Sequence, residues 1–232
     1  DWNVTARYND TFIKVFEEER ELTMMLIIDI SGSNFFGSNS VFKNEYVTEL
    51  AATLAFSATK NNDKVGLILF SDNVELYIPP KKGKSHVLRI IRELLEFKSK
   101  SKKTDINVPL KFISSILKNR SIAFIISDFI SQDYSNSLKI FSSRHDVTGI
   151  RIYDKSEEII PNLGVIDIDD NETGKRATVN TSSKEVRKKY SEYYKSKRSE
   201  FVDYFKRSGS GIIECNTHDD YQKKLLKYFK SR

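Results

Sequence analysis

The sequence predicts an α/β protein built on a doubly wound, mainly parallel β-sheet with helices on both faces. Three observations lead there. Apolar runs without a polar break, around Met24–Ile28, Val65–Phe70 and Ile122–Ile126, read as strands buried on both sides. Between them lie stretches whose apolar residues recur at helical spacing. The resulting order is strand, helix, strand pair, helix, helix, strand, helix, strand, the alternation that builds parallel crossover units.

Taken along the chain, residues 5–21 read as a β-hairpin turning at Asn9-Asp10, with Phe12, Ile13, Val15 and Phe16 giving the second strand two partly apolar faces. Glu17–Arg20 leads into the central strand, Leu22–Ile28, which ends abruptly at Asp29. A Gly/Ser/Asn loop over 32–40 carries Phe35 and Phe36. The spacing of Val47, Leu50, Ala51, Leu54, Ala55 and Ala58 predicts a helix over 42–60, closed by Asn61-Asn62. Val65–Phe70 is a strand, and Asn73–Ile78 another, joined to it by a Ser71-Asp72-Asn73 turn and therefore antiparallel. Pro79-Pro80 and a lysine loop lead into a helix over 85–97. A charged loop over 98–103 precedes a helix over 107–118, with Pro109 tolerated in its first turn. Then follow a strand over 121–126, a helix over 135–143 and a strand over 147–153.

Residues 164–181 interrupt the rhythm as an inserted β-hairpin around Asn171–Gly174. A long charged helix over 183–208 bears an aromatic stripe of Tyr190, Tyr193, Tyr194, Phe201, Tyr204 and Phe205 beside Val186. This stripe is a packing face first and a base-stacking surface only second. A strand over 211–215 and a helix over 219–230 complete one domain spanning 1–232.

With 39% hydrophobic and 30% charged residues among 232, the chain has enough apolar mass for a core. Its net charge of +6 admits acidic partners, anionic membranes or nucleic acid, although 32 acidic residues are interspersed among 38 basic ones. One cysteine excludes an internal disulfide and fits a reducing compartment. No stretch approaches the ~20 apolar residues of a membrane helix, and no signal peptide is visible. The expected location is the cytoplasm, with membrane association open through partners or a missing N-terminal segment, because the sequence starts at Asp1 rather than at methionine.

Chemistry concentrates where buried strands end. Asp29, Ser31 and Ser33 put three side-chain oxygens after the central strand, and Asp128 follows the strand over 121–126. In a doubly wound sheet ligands bind at such carboxyl ends, where the strand order reverses. Thr104, just before a helix, adds a fifth oxygen from a neighbouring loop. Oxygen-only donors suit a hard cation, Mg²⁺ first, with Mn²⁺ or Ca²⁺ as alternatives. So few protein charges leave such an ion seeking one more oxygen, from water or from an acidic partner residue. The same serines also suit loop capping, and Asp29 alone also suits a turn.

Enzymatic readings fare worse. A phosphoryl-carrying aspartate usually has a second acid two positions on, where this chain has Ser31. Cys215 and His218 are close in sequence, but a cysteine inside a strand belongs to a core. His86 and His145 stand at element entrances as surface or capping residues. No glycine-rich phosphate loop and no Cys/His zinc spacing is present. A non-enzyme is expected. Lys98, Lys100, Lys102 and Lys103, if they flank the cation, would steer acidic partners toward it. The alternative function is nucleic-acid binding through these basic loops.

The set Asp29-x-Ser31-x-Ser33 with distant Thr104 and Asp128 resembles the metal-ion-dependent adhesion site of von Willebrand factor A-like domains. More narrowly, nearly the whole chain resembles the bacterial DUF58 family. The resemblance is carried by Asp1-Trp-Asn-Val-Thr-Ala-Arg7, Lys14-Val-Phe-Glu-Glu-Glu-Arg-Glu-Leu22, Ser127-Asp128-Phe129, Arg144-His145-Asp146-Val147 and Asp170-Asn-Glu-Thr-Gly174. It implies a metal-dependent protein-interaction module, an adaptor or co-chaperone of a MoxR-type AAA+ ATPase in assembling or maturing other proteins. Two departures stand out. Family members usually carry a further segment before the Asp-Trp pair, so the resemblance leads one to expect a longer protein. Small residues or glycine usually precede the site threonine, where this chain has Lys102-Lys103.

Overall fold

The structure, a computed structural model, describes residues 21–32, 43–169 and 176–231. The hairpin expected over 5–21 lies outside these residues apart from Glu21, as do Ser33, Phe35 and Phe36 and the turn at 170–175.

The described strands are β1 (Thr23–Asp29), β2 (Lys64–Phe70), β3 (Val74–Lys81), β4 (Ile122–Ser127), β5 (Asp146–Tyr153), β6 (Val165–Asp169), β7 (Arg176–Asn180) and β8 (Gly211–Asn216). The helices are α1 (Lys43–Lys60), α2 (Lys84–Glu96), α3 (Asn107–Ile116), α4 (Ser135–Ser142), α5 (Lys155–Glu158), α6 (Lys184–Arg207) and α7 (Tyr221–Lys230). Six strands form one sheet in the order β3-β2-β1-β4-β5-β8, parallel except for β3. β6 and β7 form a separate antiparallel pair.

The sheet is buried on both sides because its strands are apolar at both parities. Met24, Leu26 and Ile28 of β1 pack among α1, α2 and α7, whereas Met25 and Ile27 pack among α3, α4 and α6. β1 sits between β2 and β4, and four of its residues, Met25, Leu26, Ile27 and Ile28, are at most 1% exposed. Truncating such a side chain to alanine costs about 2–5 kcal/mol. Gly149 of β5 lets α6 approach: a Cβ there would stand 2.4 Å from the Phe205 ring and 2.9 Å from that of Phe201.

Three expectations need correction. β3 runs through Pro79 and Pro80 to Lys81, although the prolines were expected to end it near Ile78. An edge strand leaves one row of amides unpaired, so proline's missing N–H costs it little. The ladder with β2 also shifts register beside them, between Val65 and Leu67. α3 stops at Ile116 instead of 118, because Leu117 is extended. The short helix α5 was not expected. Asp154 caps it, accepting from Ser156 N–H, and Glu157 completes a capping box.

Candidate functional site

The strand order reverses between β1, whose neighbour is β2, and β4, whose next partner is β5. The register Ile28↔Ile126 brings the carboxyl ends of β1 and β4 together. Asp29, the last residue of β1, is 2% exposed, and Asp128, just beyond β4, is 5% exposed. Ser127 Oγ links the two strand ends, donating to Asp29 Oδ2 at 2.7 Å while accepting the Phe129 N–H at 3.0 Å. The other Asp29 oxygen accepts the Ser31 N–H at 2.9 Å. Asp128 Oδ1 accepts the Ile130 N–H at 3.0 Å, so both carboxylates organise the loop that follows them.

Phe129 bends this turn with φ at +60°, a region that bulky side chains rarely adopt. Its buried ring compensates, lying 4.3 Å from Phe201 and edge-on to Phe205 at 5.3 Å. Strain of this kind, held by surrounding packing, fixes the direction in which Asp128 leaves β4.

A third loop is tied to these two. Gly32 N–H donates to Lys102 C=O at 3.1 Å, and Asp105 N–H to Ser71 C=O at 3.0 Å. Ser131 Oγ donates to Thr104 C=O at 3.5 Å and accepts the Ile106 N–H at 3.4 Å. The loops carrying Ser31, buried Thr104 and Asp128 are therefore cross-linked at one corner of the sheet. Ser33 lies outside the described residues.

Burial, and then the neighbouring charge of Asp128, push the Asp29 carboxyl up from 3.8 to about 7, against hydrogen bonds from Ser127 and Ser31 that favour its ionised form. Among the described residues no cluster of three or more acids, histidines or cysteines could hold a metal. A cation here would rest on two carboxylates and on hydroxyls, which is the oxygen chemistry of a hard ion.

Sequence reasoning missed Ser127 and Ser131 as site residues. The one signal for Ser127 was its place as the last residue of an apolar strand. It also missed Lys43, 1% exposed at the start of α1, whose ammonium meets Glu157 of α5 at 2.6 Å. Burial pushes the Glu157 carboxyl above its ordinary value even with Lys43 beside it, and the charge of Asp128 pushes the same way. No local pattern announces a pair 114 positions apart, the difference between residues 157 and 43.

Lys98, Lys100, Lys102 and Lys103 are all exposed on the loop that begins beyond α2. Glu75 organises that loop, accepting from Lys100 N–H at 2.7 Å and Ser99 Oγ at 2.8 Å. Cys215 is buried in the core and His218 is exposed, so they form no thiol–imidazole pair. His86 meets Val65 C=O at 2.9 Å. His145, expected at the surface, is 5% exposed against Phe141, because the turn into β5 folds its ring onto α4. The α6 stripe divides: Phe201 and Phe205 are buried, Tyr190 and Tyr194 stack on each other at 5.0 Å, and Tyr193 faces solvent.

The chain matches the family described as "Protein of unknown function DUF58" over residues 1–200, and it belongs to that family. An uncharacterized protein of Mycobacterium tuberculosis (strain ATCC 25618 / H37Rv) is 22% identical over 237 residues, covering all of this chain and 74% of that protein. Among solved structures, an aerotolerance-related membrane protein from Bacteroides fragilis NCTC 9343, carrying multiple mutations to serines, superposes with TM-score 0.61 at 17% identity, over 91% of this chain and 100% of that one. The conserved hypothetical protein BatB from Bacteroides thetaiotaomicron does so with TM-score 0.61 at 14% identity, over 90% and 98%. The doubly wound, mainly parallel α/β fold expected from the sequence is the fold observed. Among the described residues no helix is long and apolar enough to cross a membrane.

Proposed function

We propose that this DUF58 member is a non-enzymatic protein-interaction module whose contact point is a divalent cation. Asp29, Ser31, Ser33, Thr104 and Asp128 would hold the ion. The observation that carries this reading is the burial of Asp29 and Asp128 side by side at the switch point, where their mutual repulsion favours a bound positive charge. Mg²⁺ suits the donors best, since it keeps open positions and takes carboxylate oxygens. When bound, it would supply a Lewis-acidic position for a carboxylate from a protein partner. The chain's own residues do the rest: Ser127 and the Ser31 amide orient Asp29, and the Gly32–Lys102 bond sets the loop leading to Thr104. Lys98, Lys100, Lys102 and Lys103 would draw acidic partners to this corner. A MoxR-type AAA+ ATPase is the partner that the family resemblance implies.

Calorimetric titration with Mg²⁺ and Mn²⁺ tests the reading. Wild type should bind one ion, and Asp29→Ala none; equal heats from both would end the proposal. A pulldown with and without Mg²⁺ then asks whether an AAA+ ATPase is retained only with the ion.

A further inference from the structure

The opposite edge of the sheet carries a different chemistry. There each turn from a helix into a parallel strand presents exposed cations: Lys60 before β2, Lys118 and Arg120 before β4, Arg144 before β5, and Lys206 and Arg207 before β8. Cations at helix carboxyl ends answer the helix dipole, and alone they define no partner. Of the acids at this edge, Glu21 bridges Lys64 and Lys82, Asp63 accepts the Leu22 N–H at 3.1 Å, and Asp146 stands at the start of β5.

The last two turns of α7 end at this edge and add apolar groups. Leu225 points inward, while Leu226 is 60% and Phe229 48% exposed, three positions apart on one face. Lys227 and Lys230 flank them, and among the described residues neither forms an ion pair, whereas Lys223 and Lys224 of the first turn are held by Asp220 and Asp219. Leu22, 46% exposed, shares with Phe229 a cleft of about 280 Å³ that Met24, Leu54 and Phe124 also line, together with the acids Asp63 and Asp146. Solvent-facing leucine and phenylalanine among lysines are the pattern of a helix face that lies in a membrane interface. A phosphodiester backbone would be served by the cations alone and gains nothing from Leu226.

We propose that this edge, centred on Leu226, Lys227, Phe229 and Lys230, docks onto an anionic phospholipid bilayer. The cations meet headgroup phosphates, and Leu22, Leu226 and Phe229 enter the interfacial layer. The sheet then stands on the membrane with Asp29 and Asp128 pointing away from it, so a protein partner could be engaged from the other side. The inference does not depend on a bound cation.

Flotation of the full chain with phosphatidylcholine vesicles, with and without about one-third phosphatidylglycerol, tests it. Binding should need the anionic lipid and weaken steeply between about 0.05 M and about 0.3 M salt. Lys227→Glu with Lys230→Glu should weaken it at least about 20-fold, at roughly fivefold for each charge removed. Leu226→Ser should weaken it several-fold, and Lys100→Glu with Lys102→Glu, at the other edge, should leave it unchanged. Melting curves confirm that each variant folds. No binding to anionic vesicles, equal binding to neutral ones, or equal loss in the Lys100/Lys102 variant would overturn the proposal. So would duplex DNA outcompeting the vesicles while Leu226→Ser has no effect.

Discussion

The two edges of the sheet are made by the same strands and differ in where their polar groups go. At the carboxyl edge Asp29, Ser31, Thr104, Ser127 and Asp128 are all at most 9% exposed, and backbone amides and hydroxyls cross-link them. At the amino edge the cations and several apolar side chains point into solvent. Buried backbone amides need partners, and at the carboxyl edge Asp29 and Asp128 supply them to the loops that follow. At the amino edge Asp63 does so for Leu22, while the cations of the turns project outward. Polar groups at the first edge are therefore part of the fold. Those at the second are available for contact without being needed for folding.

The largest effect expected from this contrast lies at Lys43. Removing it leaves Glu157 buried and unpaired beside the field of Asp128, which costs about 3–5 kcal/mol when one partner of a buried pair is deleted. Urea denaturation of Lys43→Ala should show that loss, and adding Glu157→Gln should recover much of it. A loss of less than about 1 kcal/mol would mean that water screens the pair.

Next comes pH. The Asp29 carboxyl has a folded pKa near 7, above its ordinary 3.8, so its contribution is fully stabilising below about pH 3.8 and is lost as pH rises to about 7. In chelator, the wild-type melting temperature should fall between pH 5 and pH 8 by about 5–10 °C from this group. Asp29→Asn, which keeps no charge, should flatten that slope and be the more stable protein at pH 8. Mg²⁺ should restore the wild type at pH 8 and do nothing for Asp29→Asn. Parallel slopes in chelator would show that Asp29 is not a buried charge.

The sequence made the sheet legible because burial on both faces leaves unbroken apolar runs in β1, β2 and β4. Asp29 was legible for the same reason, as the polar residue at which its run stops, and Asp128 as the acid one place beyond Ser127, where the β4 run stops. Lys43 and Glu157 were not, because a long-range ion pair has no local period, and α5 was too short to have one. The extension of β3 through Pro79 and Pro80 depended on its place at an edge, which its own residues do not state. Ser127 lies between these cases: its position was read, but its bond to Asp29 belongs to the pairing of β1 with β4.

That bond gives a smaller, sharper test. Ser127→Ala removes the donor to Asp29 and the acceptor of the Phe129 amide, which should cost about 1–3 kcal/mol for the group left unsatisfied. It should also raise the Asp29 pKa, since the Ser127 hydrogen bond favours the carboxylate. The stability loss in chelator should therefore grow from pH 5 to pH 8, a dependence that a simple packing defect would lack.

The smallest expected change is the most discriminating, because it asks for almost none. Lys227→Glu with Lys230→Glu alters two exposed side chains that form no ion pair among the described residues, and surface substitutions of this sort shift stability by about 0.5 kcal/mol or less. Reversing the charges does set glutamates at the carboxyl end of α7, which opposes the helix dipole by a further ~0.3–1 kcal/mol. The sum predicts a melting temperature lowered by no more than about 5 °C, with no change in Mg²⁺ titration. If the variant instead lost several kcal/mol, the amino edge would be as much a part of the fold as the carboxyl edge. Its cations would then be structural, and the contrast between the two edges would disappear.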